Sequence, residues 1–242
     1  MTTCVVLVHG LRGSSAEWET QRNALEAHGH PVVVVELPGH GSRIDEPFSI
    51  GESLVTVADA ARSFGTAPVF IVGRGLGGHL AVECGSLIET VSGVVAVGCG
   101  TQALNWVLDS YRIASMSTHH LLPDRGATMS SAASSTFVRA GSSGGVAPSE
   151  HFADTLRQLD ELDTRAALSR LQVPVWLLNG QLDRFRMQEN AFLGAARQFR
   201  LVRQPGVRLA ARFRRPADTV RLLLGILGGR YPTRSRLTLP DR

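Results

Sequence analysis

Lysine is absent from this 242-residue chain; all 25 basic residues are arginine. With abundant alanine, glycine and valine, that bias reads as the coding habit of a GC-rich genome before it reads as chemistry. Cysteine is nearly absent too. Cys4, Cys84 and Cys99 are odd in number, far apart and set in or beside apolar segments, so buried thiols are expected, not a disulfide framework or a metal site. No apolar run is long enough to span a bilayer, and no basic stretch precedes an apolar core at Met1–Cys4. Neither a membrane partner nor a secretion signal is expected, and a cytoplasmic location follows as the default. Nucleic acid is not an expected partner either, because no recognised motif or aromatic-interleaved basic stripe accompanies the arginines.

What is present suits one α/β domain with a filled core. Hydrophobic residues make up 43% of the chain and charged ones 19%, ordinary values for a globule. Charge is uneven: Arg197–Arg242 carries a balance of +10 and the remainder −6. A solvated basic face explains this, and attraction of an anionic ligand is the functional alternative.

Short apolar runs at 4–8, 32–35, 69–72, 94–97, 175–178 and 199–202 alternate with helical patterns at 18–28, 50–64, 77–89, 187–197 and 216–227. Ser14 or Ser15 is the expected N-cap of the first helix and Pro216 opens the last. Continuous apolar strands between helices predict an α/β fold, a mostly parallel twisted sheet covered on both faces. Residues 1–100 and 172–228 are read as its core. Residues 101–171, where regularity fails until a helical pattern resumes at 149–171, are read as an inserted cap. Residues 229–242, with the break at Gly228–Gly229, are read as a loose tail. Functional groups collect at the carboxyl ends of parallel strands, where His9, His40, Arg74–Gly75 and Gly98–Cys99 stand.

The most informative stretch is Val69–Gly78, a buried strand running into glycines and then a helix. Gly73–Arg74–Gly75–Leu76–Gly77 has the outline of the G-x-S-x-G nucleophile elbow with Gly75 in the serine position. With His9–Gly10 after the first strand, Pro38–Gly39–His40–Gly41–Ser42 after the second, and Gly180 and Asp183 after Val173–Leu178, the chain resembles the α/β-hydrolase superfamily from Val5 to Leu227. The resemblance implies an α/β-hydrolase fold, Leu11 and Leu76 amides as oxyanion donors, and Asp183 as the surviving triad acid. Two departures stand out. No serine lies between Phe64 and Gly85, and no histidine follows His151, so Arg208 or Leu209 fills the region of the family's histidine. An arginine stays protonated and cannot act as base, so acyl-enzyme hydrolysis is not expected.

An oxyanion hole without a nucleophile suits enolate stabilisation, the base being the substrate's carboxylate, a cap histidine or Asp183. The chain in this respect resembles the α/β-hydrolase-fold peptide epimerases of bottromycin-type pathways. The expected function is proton transfer beside a carbonyl in natural-product biosynthesis, on a small-molecule or modified-peptide substrate, anionic in character, with no cofactor and no metal. Catalytic candidates are Asp183, Leu11 and Leu76; substrate-binding candidates are His9, Gly10, Arg74, Gly75, Trp106, Tyr111, His151 and Arg208. Several have blander readings. Asp183 serves equally as a loop or capping residue, or as an ion-pair partner of Arg208. Arg74 more commonly pairs or packs, His9 orients backbone, and His40 and His79 pack. A ligand-binding pseudoenzyme and a hydrolase with an unusual base remain as alternative functions.

Overall fold

The computed structural model describes residues 2–11, 13–100, 158–180, 188–204 and 216–235. Six parallel strands form the sheet: β1 (Cys4–Val8), β2 (Val32–Val35), β3 (Val69–Arg74), β4 (Val91–Val97), β5 (Val175–Gly180) and β6 (Gln198–Gln204). A short β7 (Arg234–Ser235) joins antiparallel to β6. Their order is β2-β1-β3-β4-β5-β6-β7. The helices are α1 (Glu19–Ala27), α2 (Ile50–Arg62), α3 (Leu76–Gly85), α4 (Thr164–Arg170), α5 (Glu189–Ala195) and α6 (Pro216–Leu227).

The valine-rich runs become strands because both faces of the sheet are covered, so no position needs a polar residue. Val5 and Leu7 pack with Val72, Val95, Trp18 and Leu25 of the α1 side and with Leu222, Leu223 and Ile226 of α6. Val6 and Val8 point the other way and join Ile71, Val94, Val57, Leu80, Leu168 and Phe192 under α2, α3, α4 and α5. Cys4, Cys84 and Cys99 are buried free thiols, as expected. Burial pushes the Cys84 thiol up to about 12, and Cys99 is raised for the same reason. Both are inert packing groups.

Several local expectations change. Ser14 and Ser15 do not cap α1; a 3-10 turn over Ser15–Trp18 intervenes, and the Ser15 hydroxyl donates to Glu36 at 2.7 Å. The helical pattern expected to run to Leu171 is broken within its described part. A 3-10 turn at Leu159–Glu161 is followed by extended Leu162, and the Asp163 side chain accepts the Ala166 N–H to start α4 afresh. Leu159, Leu162, Ala167, Leu168 and Leu171, placed with the cap on sequence, lie in the main core. The Gln158 amide also binds Phe48 O and Ile50 N, both at 3.0 Å. The rest of the expected cap, 101–157, lies outside the described residues.

The tail expectation fails over its first residues. Tyr231 O accepts the Trp176 indole N–H at 2.7 Å, and β7 pairs with Gln198 and Phe199.

The chain leaves β1 for the edge strand β2 and then returns to β3 on β1's other side. Loops diverge at such a switch point, so the carboxyl ends of β1 and β3 frame a crevice. Residues 9–11 and 74–76 stand there.

Candidate active site

At the end of β3 the chain reverses through one residue. Gly75 has φ +52° and ψ −114°, a conformation that side chains resist, and α3 starts at the next position. The Gly75 N–H donates to Val97 O at 2.9 Å, while its carbonyl accepts the amides of Gly78 and His79. This is the elbow expected from the sequence.

The other glycines have packing reasons. A Cβ on Gly73 would run into Gly77 O, one on Gly77 into Val8 O, and one on Gly78 would sit 2.9 Å from Cys99 Cβ. Retention of these three therefore follows from the close approach of α3 to the strands and is not in itself a sign of chemistry. Gly75 differs: a Cβ there meets no heavy atom within 4 Å among the described residues.

Facing the elbow, three side chains pin successive peptides after β1. Glu17 Oε1 accepts the Gly10 N–H at 3.0 Å. His9 Nδ1 donates to Gly10 O at 2.9 Å, and the Gly13 N–H shares that carbonyl. His40 Nε2 donates to Leu11 O at 2.8 Å. The N–H of Leu11 is left over; among the described residues it has no acceptor, and neither has the N–H of Leu76, the first residue of α3. The latter is one of the orphan donors every helix start carries.

Glu36, directly after β2, supports the same loop. It accepts the Ser15 amide at 3.0 Å and the Ser15 hydroxyl, and lies 3.1 Å from His9 Nε2. Burial works to raise its carboxyl, but the contact with His9 and the hydrogen bonds from the Ser15 hydroxyl and amide outweigh that and hold it at about 2. His40 is pushed down, first by burial and then by the neighbouring His9, whose ring lies 5.0 Å away. The carbonyls of Pro38 and Leu11 oppose that shift in part.

The candidates named from sequence fall into three groups. Leu11, Gly10, Gly75 and Leu76 come together at the switch point. His9 is wholly buried, 0% exposed, with its ring on Gly10 O, which fits the loop-orienting alternative. Arg74 donates to Glu17 Oε2 at 2.7 Å, so the pairing alternative describes it. Asp183, Trp106, Tyr111, His151 and Arg208 lie outside the described residues. The segments flanking Asp183 are tied by a buried bond from Asn179 Nδ2 to Glu189 Oε2, 2.8 Å, and by Gln188 N–H to Gly100 O.

Glu17 and Glu36 are the residues that sequence reading missed. Glu36 had a signal: a carboxylate directly after a four-valine strand stands at a carboxyl end. Glu17 had none, since it meets Gly10 and Arg74 only through the fold.

The family model for the alpha/beta hydrolase family matches residues 5–225. The chain belongs to that family. Among solved structures it is similar to BpoC from Mycobacterium tuberculosis H37Rv, with a TM-score of 0.74 and 18% identity over 95% of this chain and 93% of that one. It is similar to NosK from Streptomyces actuosus, with a TM-score of 0.66 and 22% identity over 95% and 99%. A bromoperoxidase from Bacillus anthracis gives a TM-score of 0.72 and 18% identity over 94% and 92%. At these identities the likeness is one of fold. An AB hydrolase superfamily protein of Gibberella zeae is 26% identical over 84 residues, 34% of this chain and 30% of that protein.

Proposed function

We propose that the protein is a non-hydrolytic member of its family that moves a proton beside a carbonyl, as an epimerase or isomerase in natural-product biosynthesis. One observation carries the reading: among the described residues nothing lies within 4 Å of a Cβ at Gly75, and in the loop opposite the Gly10 N–H, Gly10 O and Leu11 O are bound by Glu17, His9 and His40 while the Leu11 N–H has no acceptor. A substrate carbonyl lying beside Gly75 has two amides, Leu11 and Leu76, for its oxygen. A base takes the proton from the neighbouring carbon, the electron pair moves into the carbonyl to give an enolate, and the two N–H groups hold its negative oxygen. Return of a proton to the opposite face inverts the centre. Each such donor is worth about 3 kcal/mol in the transition state. Candidates for the base are Asp183, a carboxylate of the substrate itself and a histidine of residues 101–157. The substrate class in this reading is a small molecule or modified peptide. Because Arg74 is bound to Glu17, recognition of an anionic group falls to other residues, Arg208 among them.

The test is incubation in heavy water with carboxylate-bearing peptide and polyketide candidates. Deuterium entering the carbon next to a carbonyl, and loss of that label in the Asp183→Asn variant if Asp183 is the base, is the expected result. Tight binding with no exchange would instead establish a ligand-binding pseudoenzyme. That second reading draws support from the packing demands on Gly73, Gly77 and Gly78, which would persist without catalysis.

A further inference from the structure

We propose that Glu17 is a positioning residue that sets the separation between the Leu11 and Leu76 amides; the proposal rests on the reading that these amides hold a substrate oxygen. Its carboxylate is a two-sided clamp. Oε1 takes the Gly10 N–H of the loop after β1, and Oε2 takes Arg74, the last residue of β3 and neighbour of Gly75. One side chain therefore ties together the two segments that contribute the two donors.

Three features show that the clamp is built. Glu17 is 5% exposed in its side chain and Arg74 18%, so their bond is shielded from solvent competition. Gly13 has no Cβ, and one placed there would lie 2.5 Å from Glu17 Oε2. Gly10 also has none, and its bare face lies against Arg74, with Arg74 O 3.3 Å from where a Cβ would be. The turn carrying Glu17 is held at both ends, by Ser15 on Glu36 and by Trp18 at 0% exposure in the core. Glu17 thus acts from a fixed base.

Charge gives the pair a second consequence. A bare carboxylate beside a site for a negative oxygen opposes that oxygen, and Arg74 cancels it. Removing Arg74 alone should therefore harm the site more than converting Glu17 to its neutral amide.

The experiment is a backbone-amide NMR titration of the full chain with acetate as probe, on wild type, Glu17→Gln, Glu17→Ala and Arg74→Met, with thermal unfolding of each. In wild type the Leu11 and Leu76 amides should shift together with one midpoint. Glu17→Gln keeps an acceptor for Gly10 but turns an NH2 toward Arg74, so it should weaken the midpoint about threefold to fivefold, whereas Glu17→Ala and Arg74→Met should weaken it about tenfold or more, the worth of a charged hydrogen bond. Coupled shifts in a folded Glu17→Ala protein with an unchanged midpoint would overturn the proposal. Should acetate move neither amide in wild type, the oxyanion reading falls. The clamp is then judged on free protein: faster Gly10 amide exchange in Glu17→Ala, rescued by Glu17→Gln, upholds it, and unchanged exchange ends it.

Discussion

Gly75 and Gly73 are two residues apart and ask for glycine for opposite reasons, which makes them a paired test at the residue scale. At Gly75 no described residue stands within 4 Å of a Cβ, and the backbone conformation is what resists a side chain. Gly75→Ala and Gly75→Ser should fold and lose about 1–3 kcal/mol, the cost of a strained residue. At Gly73 the Cβ meets a backbone carbonyl, which no side-chain rotation relieves. Gly73→Ala should lose more than about 4 kcal/mol or give no folded protein. Thermal or urea unfolding separates the two outcomes, and equal losses would refute the contrast. Gly75→Ser should also leave aryl-ester hydrolysis at the buffer rate, because the chain has no histidine after His151 to serve the new hydroxyl. The turn was legible because glycines after an apolar strand signal it directly. The Glu17 clamp was not, because its two partners lie seven and 57 positions away in the chain and no local pattern links them.

Elements were read well wherever apolar residues alone define them. The valine runs of β1, β2 and β4 announce strands, and the α2 pattern ends at Arg62, close to where its periodicity fades. The misreadings have a common cause: polar groups decide those places. Leu156, Leu159 and Leu162 keep helical spacing across a break that only Asp163, capping Ala166, makes visible. The two-residue β7 has no apolar run, and its neighbourhood is held by an indole bond, a Tyr231 ring lying against Gly225, and Arg200 stacked 5.8 Å from that ring. Deleting residues 230–242 should therefore lower stability by about 2–4 kcal/mol, from one lost hydrogen bond to a buried indole and the apolar area of a tyrosine. Trp176→Phe should reproduce roughly 1–2 kcal/mol of that by leaving Tyr231 O without its donor. Urea unfolding with unchanged midpoints in both variants would show that the segment rests on the sheet without stabilising it.

For the molecule as a whole, the fold was legible because hydrophobic order along the chain fixes a doubly covered parallel sheet, while the acid–base groups that decide its pH response are buried one by one through packing. His79, on α3, binds Thr164 Oγ1 of α4 at 2.7 Å beside the Phe192 ring, and burial holds it at about 4. An unfolded histidine titrates near 6.5, so below that pH the unfolded chain binds a proton that the native state refuses. Stability should be full above about pH 6.5 and fall by up to about 1.4 kcal/mol per pH unit down to about 4. His40, also lowered chiefly by burial, adds in the same direction. Glu36 works in a lower window: its carboxyl sits at about 2 against an ordinary 4.5, so its contribution is intact above 4.5 and lost as pH falls from there toward 2. Urea unfolding at pH 7.5, 6.5 and 5.0 should show a loss of about 2 kcal/mol between the last two that is attributable to His79. His79→Gln, which cannot take up a proton, should flatten that step and leave the decline below pH 4.5 in place. An identical step in the variant would mean that the acid sensitivity of the fold arises elsewhere than between α3 and α4.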